Sequence, residues 1–224
     1  LEKLNAPAYK VASFEIVDLP LIAYVSKLNK PIIISTGMAN FKEILDASNV
    51  VKKNKNKKLI LLHCLSNYPA DNKDYNLSII KDLKRNFKCC VGLSDHTIGS
   101  TAAIASVALG AKIFEKHVKL DNDNLSQDSA FSMKVSDFKD YCSEIQNAWL
   151  SIGKVNYEKD NEKNSRKNRR SIYITRNIKK DEVFSLKNIQ RIRPANGLHP
   201  KYFYKIIGKK ANKNLSKETP MKLD

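Results

Sequence analysis

Residues 91–100 read VGLSDHTIGS, which sets a hydroxyl, a carboxylate and an imidazole (Ser94, Asp95, His96) between an apolar run and a threonine–glycine turn. Such a triplet either caps the apolar segment or faces a pocket. The pattern returns in KIFEKHV, where Glu115 and His117 close a second apolar segment. Two imidazoles ending neighbouring segments, with oxygen donors nearby, suit a borderline divalent ion such as manganese that keeps open positions for substrate. The alternative is ordinary packing, since histidines often sit satisfied in cores or on surfaces. Glu115 stands two residues before His117, so along a strand the pair shares one face. Glu115 and Asp128, in QDSAFS, are the acid–base candidates. His63 lies inside its segment, and His199 follows a turn.

An anion cradle is the second constellation. Lys10 and Ser13 stand three residues apart, Ser35 precedes a turn at Gly37, and Ser94 adds a further hydroxyl. An ammonium with several hydroxyls and turn N–H groups suits a phosphate or a carboxylate. The chain holds no Walker sequence and no GxGxxG, so no nucleotide is expected.

These residues must be positioned by repeated units. Apolar segments occur at YKVAS (9–13), PIIIST (31–36), LILLHC (59–64), CCVGLS (89–94) and KIFEKH (112–117). Helical patterns lie between them, as in FKEILDASNVVKK (41–53), NLSIIKDLKRNF (76–87) and STAAIASVALGA (100–111). This spacing is that of βα units, and each segment ends in polar residues: Ser13, Ser35, Ser66 with Tyr68, Ser94 to His96, then Glu115 and His117. In parallel α/β folds, above all (β/α)8 barrels, substrates bind at the C-terminal strand ends. The reading is therefore α/β, the last five βα units of a (β/α)8 barrel, with an open five-stranded sheet as the competing view. Three further units, about 100 residues, are expected ahead of Leu1.

From Val135 to Gly153 one amphipathic helix is expected, with Phe138, Tyr141, Cys142, Ile145 and Trp149 packing against the barrel. The barrel portion is thus assigned to 1–153, a charged linker to 154–168 and a small, mostly β domain to 169–224.

The net charge of +17 sits largely in interrupted lysine–asparagine runs, without a zinc-finger, RRM or helix-turn-helix signature. That favours attraction of anionic substrates and no nucleic-acid partner. No apolar run is long enough to span a bilayer, so no membrane association is expected. No leader pattern opens the chain, and Cys64, Cys89, Cys90 and Cys142 form no CxxC pair, so the expected location is a reducing cytoplasm.

The motifs YKVASFEI, IIISTGMA, LLHCLSNYPA, GLSDHTIG, GAKIFEKHV and DSAFS occur in order, and together they resemble the catalytic domain of the sialic acid synthase family. The stretch RRSIYITRNIKKDEVFSLKNIQRIRPANGLHPKYFYKIIGKKA resembles the antifreeze-like (SAF) domain that closes those enzymes. The resemblance covers essentially the whole chain. It implies condensation of phosphoenolpyruvate with an N-acetylated amino sugar, giving a nine-carbon keto acid and phosphate. By motif, His96 and His117 match the metal-binding histidines, the metal being manganese, with magnesium or cobalt as alternatives. Lys10, Ser13, Ser35, Tyr68 and Ser94 match positions contacting phosphoenolpyruvate, and Ser66 occupies another. Glu115 matches the carboxylate near the reacting carbons, and Asp128 one that holds sugar hydroxyls. Arg193 matches the arginine that reaches the sugar in the other subunit, because the family is a swapped homodimer whose SAF domain caps the partner's site.

Within the family, GLSDHT and DSAFS are similar to pseudaminic acid synthases, which makes pseudaminic acid the expected product and N-acetylneuraminate or legionaminate the alternatives. Leu65, Asp181 and the NLSQ stretch (124–127) depart from the common pattern, the last beside Asp128. A non-enzymatic reading, a carbohydrate-binding module built on the terminal domain, leaves the barrel's histidines and lysine without a role. A truncated, inactive product is the other alternative, since missing strands expose barrel edges.

Overall fold

The computed structural model describes residues 1–222, so the last two residues of the expected 169–224 domain lie outside the described ones. In chain order the elements are β1 (Tyr9–Val11), α1 (Leu19–Lys27), β2 (Ile32–Ser35), α2 (Phe41–Lys53), β3 (Leu59–Cys64), α3 (Ser78–Phe87), β4 (Cys90–Asp95), α4 (Thr101–Ala108) and β5 (Ile113–Lys116). Two short strands follow, β6 (Val118–Lys119) and β7 (Met133–Lys134), and then α5 (Val135–Ile152). The second unit holds α6 (Lys163–Arg166), β8 (Ser171–Ile174), β9 (Ile189–Ile192) and α7 (Phe203–Ile206).

The strands of the first unit are short and apolar because one face of the parallel sheet is buried under its crossover helices. They pair in the order β1-β2-β3-β4-β5, every neighbour parallel, with one helix in each crossover. Local signals fix the helices. Asp18 Oδ1 accepts from Leu21 N at 3.0 Å, with Pro20 in the first turn of α1. Asn40 and Glu43 form a capping box ahead of α2. Lys88, left-handed at φ 51°, ends α3.

Tyr9, Val11, Ile32, Ile34, Leu61, Val91 and Leu93 form one buried cluster with Ile22, Ile44, Ile80, Leu83 and Ala103 of the helices. The sheet is strongly curved toward its opposite face. Flat strands about 4.8 Å apart would set β1 and β5 roughly 19 Å from each other. Instead Lys10 Nζ of β1 lies 3.4 Å from Glu115 Oε1 of β5, a separation that two side chains bridge only when the sheet curls into a half-barrel.

One packing expectation is corrected. Of the α5 stripe, Tyr141 is buried and Ile145 packs against the core, but Cys142 is exposed and Trp149 is 58% exposed. Among the described residues β5 is the last strand of the sheet.

The chain divides into two compact units after Gly153. In the second, β8 and β9 pair antiparallel around Ile172, Ile174, Ile178, Phe184, Ile189, Phe203 and Ile206. The connector expected at 154–168 carries a 3₁₀ turn at Asp160–Glu162 and helix α6, and Lys167 O accepts from Ala195 N at 2.9 Å. Among the described residues no helix is long and apolar enough to cross a membrane.

Candidate active site

Residues paired across parallel strands point to the same side, so the register sorts the side chains by face. On the concave face Lys10, Ile33, Ile60 and Cys90 form one layer, and Ser35, Leu62, Gly92 and Ile113 the next. Cys64, Ser94 and Glu115 form the layer nearest the C-terminal strand ends. The polar members gather there because the helix-covered face has no room for unpaired charge.

Glu115 is the hub. Its Oε1 accepts a 2.6 Å hydrogen bond from Ser94 Oγ and faces the Lys10 ammonium. Ser94 Oγ also lies 3.5 Å from His96 Nε2.

The imidazoles of His96 and His117 meet, with ring centroids 5.3 Å apart and planes at 63°. His96 Nδ1 is 2.8 Å from Leu65 O, and a carbonyl only accepts, so Nδ1 carries the proton and Nε2 keeps a lone pair. Burial lowers the His96 pKa below its ordinary 6.5, opposed by that carbonyl, which keeps the ring neutral near pH 7. His117 turns Nδ1 toward Asp128 Oδ2 at 3.5 Å. Each ring is thus oriented from Nδ1 by an oxygen, the arrangement that leaves Nε2 available to a metal ion. Among the described residues no three His, Cys, Asp or Glu side chains cluster as a closed cation site. Two imidazoles with hydroxyls and carboxylates close by fit an open divalent site, in which substrate and water supply the remaining donors.

The hydroxyl cradle lies at the neighbouring strand ends. Ser13 opens a 3₁₀ turn after β1, and its Oγ accepts from Gly37 N at 3.1 Å. The Gly37 N–H expected to meet an anion is therefore occupied by a serine. A Cβ on Gly37 would stand 2.3 Å from Ser66 Oγ and 2.8 Å from Ser13 Oγ, so only glycine leaves the space these hydroxyls share. Ser35 Oγ and Ser66 Oγ are buried without a partner. Buried hydroxyls cost free energy unless bonded, so both could bond a ligand or water at the strand ends.

Tyr68 covers this centre. Its ring lies 4.3 Å from that of His96, 5.9 Å from His117 and 5.1 Å from Phe131. Phe131 also meets His117 edge-on at 5.1 Å. Burial raises the Tyr68 pKa, followed by the fields of Cys64, Asp128 and Glu115, so the phenol stays protonated and can donate.

The geometry therefore joins Lys10, Ser94, Glu115, His96, His117, Asp128 and Tyr68 through direct contacts, with Ser13, Ser66 and Gly37 as a second group. Ser35 ends β2 on the same face. Arg193 follows β9 in the second unit and is exposed. Sequence reasoning missed Phe131, whose only signal was an aromatic inside DSAFS. Asp95, grouped with Ser94 and His96 as a polar strand end facing a pocket, instead points to the helix-covered face and pairs with Lys116, to which sequence reasoning gave no role. His63, read as lying inside its segment, is within β3 and buried, with Nε2 2.6 Å from Tyr75 O.

Comparison with known proteins agrees with this architecture. Residues 169–224 match the SAF domain. The pseudaminic acid synthase of Campylobacter jejuni is 40% identical over 218 residues, 96% of this chain and 63% of that protein. The N,N'-diacetyllegionaminic acid synthase of the same species is 39% identical, over 97% of this chain and 66% of its own length. The chain thus spans somewhat under two thirds of these relatives. Among solved structures, the Bacillus subtilis spore coat polysaccharide biosynthesis protein SpsE superposes with a TM-score of 0.66 at 31% identity, covering 99% of this chain and 68% of that one. Residues 1–157, the half-barrel that carries the paired imidazoles and the hydroxyl cradle, match the NeuB family, and it is to this family that the chain belongs.

Proposed function

We propose that the protein condenses phosphoenolpyruvate with an N-acetylated amino sugar, a diacetamido trideoxy altropyranose, to give the nine-carbon keto acid pseudaminic acid and phosphate. The observation that carries this reading is the meeting of His96 and His117 at 5.3 Å, beside buried hydroxyls that lack partners. A binding module has no use for that pairing.

His96 and His117 would hold a divalent ion, manganese or alternatively magnesium or cobalt, whose Lewis acidity polarises the sugar carbonyl. Lys10 and the hydroxyls of Ser13, Ser35, Ser66 and Ser94 bind the phosphate and carboxylate of phosphoenolpyruvate, neutralising and orienting it. The C3 carbon of the enol attacks the aldehyde carbon of the open-chain sugar, forming the new C–C bond, and the carbonyl oxygen takes up a proton. Water adds to the cationic C2, and Glu115, held by Ser94 and Lys10, accepts its proton. The tetrahedral carbon then expels phosphate by C–O cleavage.

Tyr68 adds a further contact to phosphoenolpyruvate, Asp128 binds the sugar, and Arg193 reaches it from the SAF domain of a second copy in a homodimer. Four cysteines without a CxxC pair support a reducing cytoplasm as the location. Similarity to a legionaminic acid synthase is within one percentage point of that to the pseudaminic acid synthase, so legionaminate is the second product reading.

The test supplies the intact protein with phosphoenolpyruvate and each candidate hexose, with and without manganese, and measures released phosphate. Heavy oxygen in the bridging C–O position should leave with the phosphate. Its retention in the sugar acid would sink the proposed route.

A further inference from the structure

Behind the two imidazoles, on the helix-covered face, Lys116 Nζ lies 2.9 Å from Asp95 Oδ2, and the side chains are 2% and 0% exposed. The two residues are register partners in β4 and β5. Each immediately precedes one of the paired histidines. Every polar atom of this pair is bonded. Asp95 Oδ1 accepts from Thr97 N at 2.9 Å and Thr97 Oγ1 at 2.7 Å, and Oδ2 accepts from Tyr141 OH at 3.2 Å. Lys116 also donates to Thr97 O and, at 3.3 Å, to Gly99 O. Strand β4, the loop after it, strand β5 and helix α5 therefore meet at one buried point.

A buried ion pair is a weak source of stability, because removing two charges from water offsets most of their attraction. What a fully bonded pair supplies is fixed geometry. Alternation places Ser94 and His96 on the concave side of β4 and Asp95 on the other, and likewise Glu115 and His117 against Lys116. Tying Asp95 to Lys116 fixes the lateral offset of the two strand ends, and with it the separation of the imidazoles in front. The bonds to Thr97 and Gly99 hold the loop just past His96.

We propose that Asp95 and Lys116, closed by Thr97 and Tyr141, form a positioning clamp that sets the His96–His117 spacing and thereby the affinity of the divalent ion. This rests on the metal-dependent reading above. The clamp touches none of the phosphoenolpyruvate hydroxyls, so its loss acts on ion affinity and leaves phosphoenolpyruvate affinity in place.

The experiment titrates manganese into the intact protein by electron paramagnetic resonance of the free ion, and phosphoenolpyruvate separately by calorimetry. Asp95→Asn and Lys116→Met should each weaken manganese binding by roughly 10- to 100-fold, the range found when groups behind metal ligands are removed. Phosphoenolpyruvate affinity should stay near wild type, which a general loss of structure would not allow. Should Asp95→Asn not fold, Tyr141→Phe decides, since it removes one hydrogen bond and keeps both charges. A fewfold weaker manganese affinity in Tyr141→Phe supports the clamp, and an unchanged one overturns it. Manganese binding abolished by His96→Ala but unaltered by the Asp95 and Lys116 substitutions overturns the clamp alone. Binding that survives His96→Ala overturns the metal reading and the clamp with it.

Discussion

Ser94 Oγ donates a 2.6 Å hydrogen bond to Glu115 Oε1, the same oxygen that faces Lys10 Nζ at 3.4 Å. One carboxylate oxygen is thereby held by two neighbours. Glu115→Gln keeps the shape and can still accept from Ser94, but an amide takes no proton from water. The expected outcome is a fall in kcat of roughly 10²- to 10⁴-fold, the usual contribution of a positioned base, with KM for phosphoenolpyruvate changed little. Steady-state phosphate release checks it, and an unchanged kcat would remove Glu115 from the role of base.

Gly37→Ala tests the hydroxyl cradle. The added methyl would meet Ser66 Oγ at 2.3 Å and Ser13 Oγ at 2.8 Å, closer than nonbonded atoms allow. The loop must then shift, at a cost of about 1–3 kcal/mol in stability. Weaker phosphoenolpyruvate binding by calorimetry is expected to accompany the lower melting temperature. Full affinity in a folded Gly37→Ala protein would place the phosphate elsewhere.

Phe131 meets Tyr68 and His117 at ring distances of 5.1 Å each, on the open side of the imidazole pair. In the proposed reaction an aromatic there would shield the reacting carbons from bulk water and offer an apolar face to the sugar. Phe131→Ala should raise KM for the amino sugar roughly 3- to 10-fold, the worth of one ring contact, and spare KM for phosphoenolpyruvate. Equal loss for both substrates would show that the ring supports the loop as a whole.

The strands were legible because a parallel sheet buried on its helix side writes apolar runs into the chain. LILLHC at 59–64 coincides with β3, and the segment read at 41–53 coincides with α2, whose Asn40–Glu43 capping box states its start. Chemistry was legible at strand ends, where Ser94, His96, Glu115 and His117 break the apolar pattern. What the chain alone concealed depends on distance in space. Nothing in the sequence says that Gly37 presses on Ser66, that Phe131 reaches His117, or that Asp95 and Lys116 are register partners. The second half of α5 was misread for a related reason: an amphipathic stripe says which face is apolar, not whether a neighbour covers it. Trp149 lies on that apolar stripe and stays exposed.

His63 supplies a pH prediction that is independent of the active site. It lies on the helix side of β3, with Nε2 2.6 Å from Tyr75 O and its ring edge-on to Tyr75 at 5.6 Å. Burial lowers its pKa below the ordinary 6.5, and the Tyr75 carbonyl opposes this only in part. The folded state then binds fewer protons than the unfolded state, so stability rises with pH across the interval between the two values. It is fully present above the unfolded value near 6.5 and is lost as the pH falls through it toward the depressed folded value. Thermal melts at about pH 7.5 and about pH 5.5 should show a clear drop in melting temperature. His96, depressed by burial in the same direction, contributes to that drop, so His63→Gln should reduce the pH dependence without abolishing it. A His63→Gln protein with the full wild-type slope would mean that His63 titrates alike in the folded and unfolded states, its carbonyl partner offsetting burial.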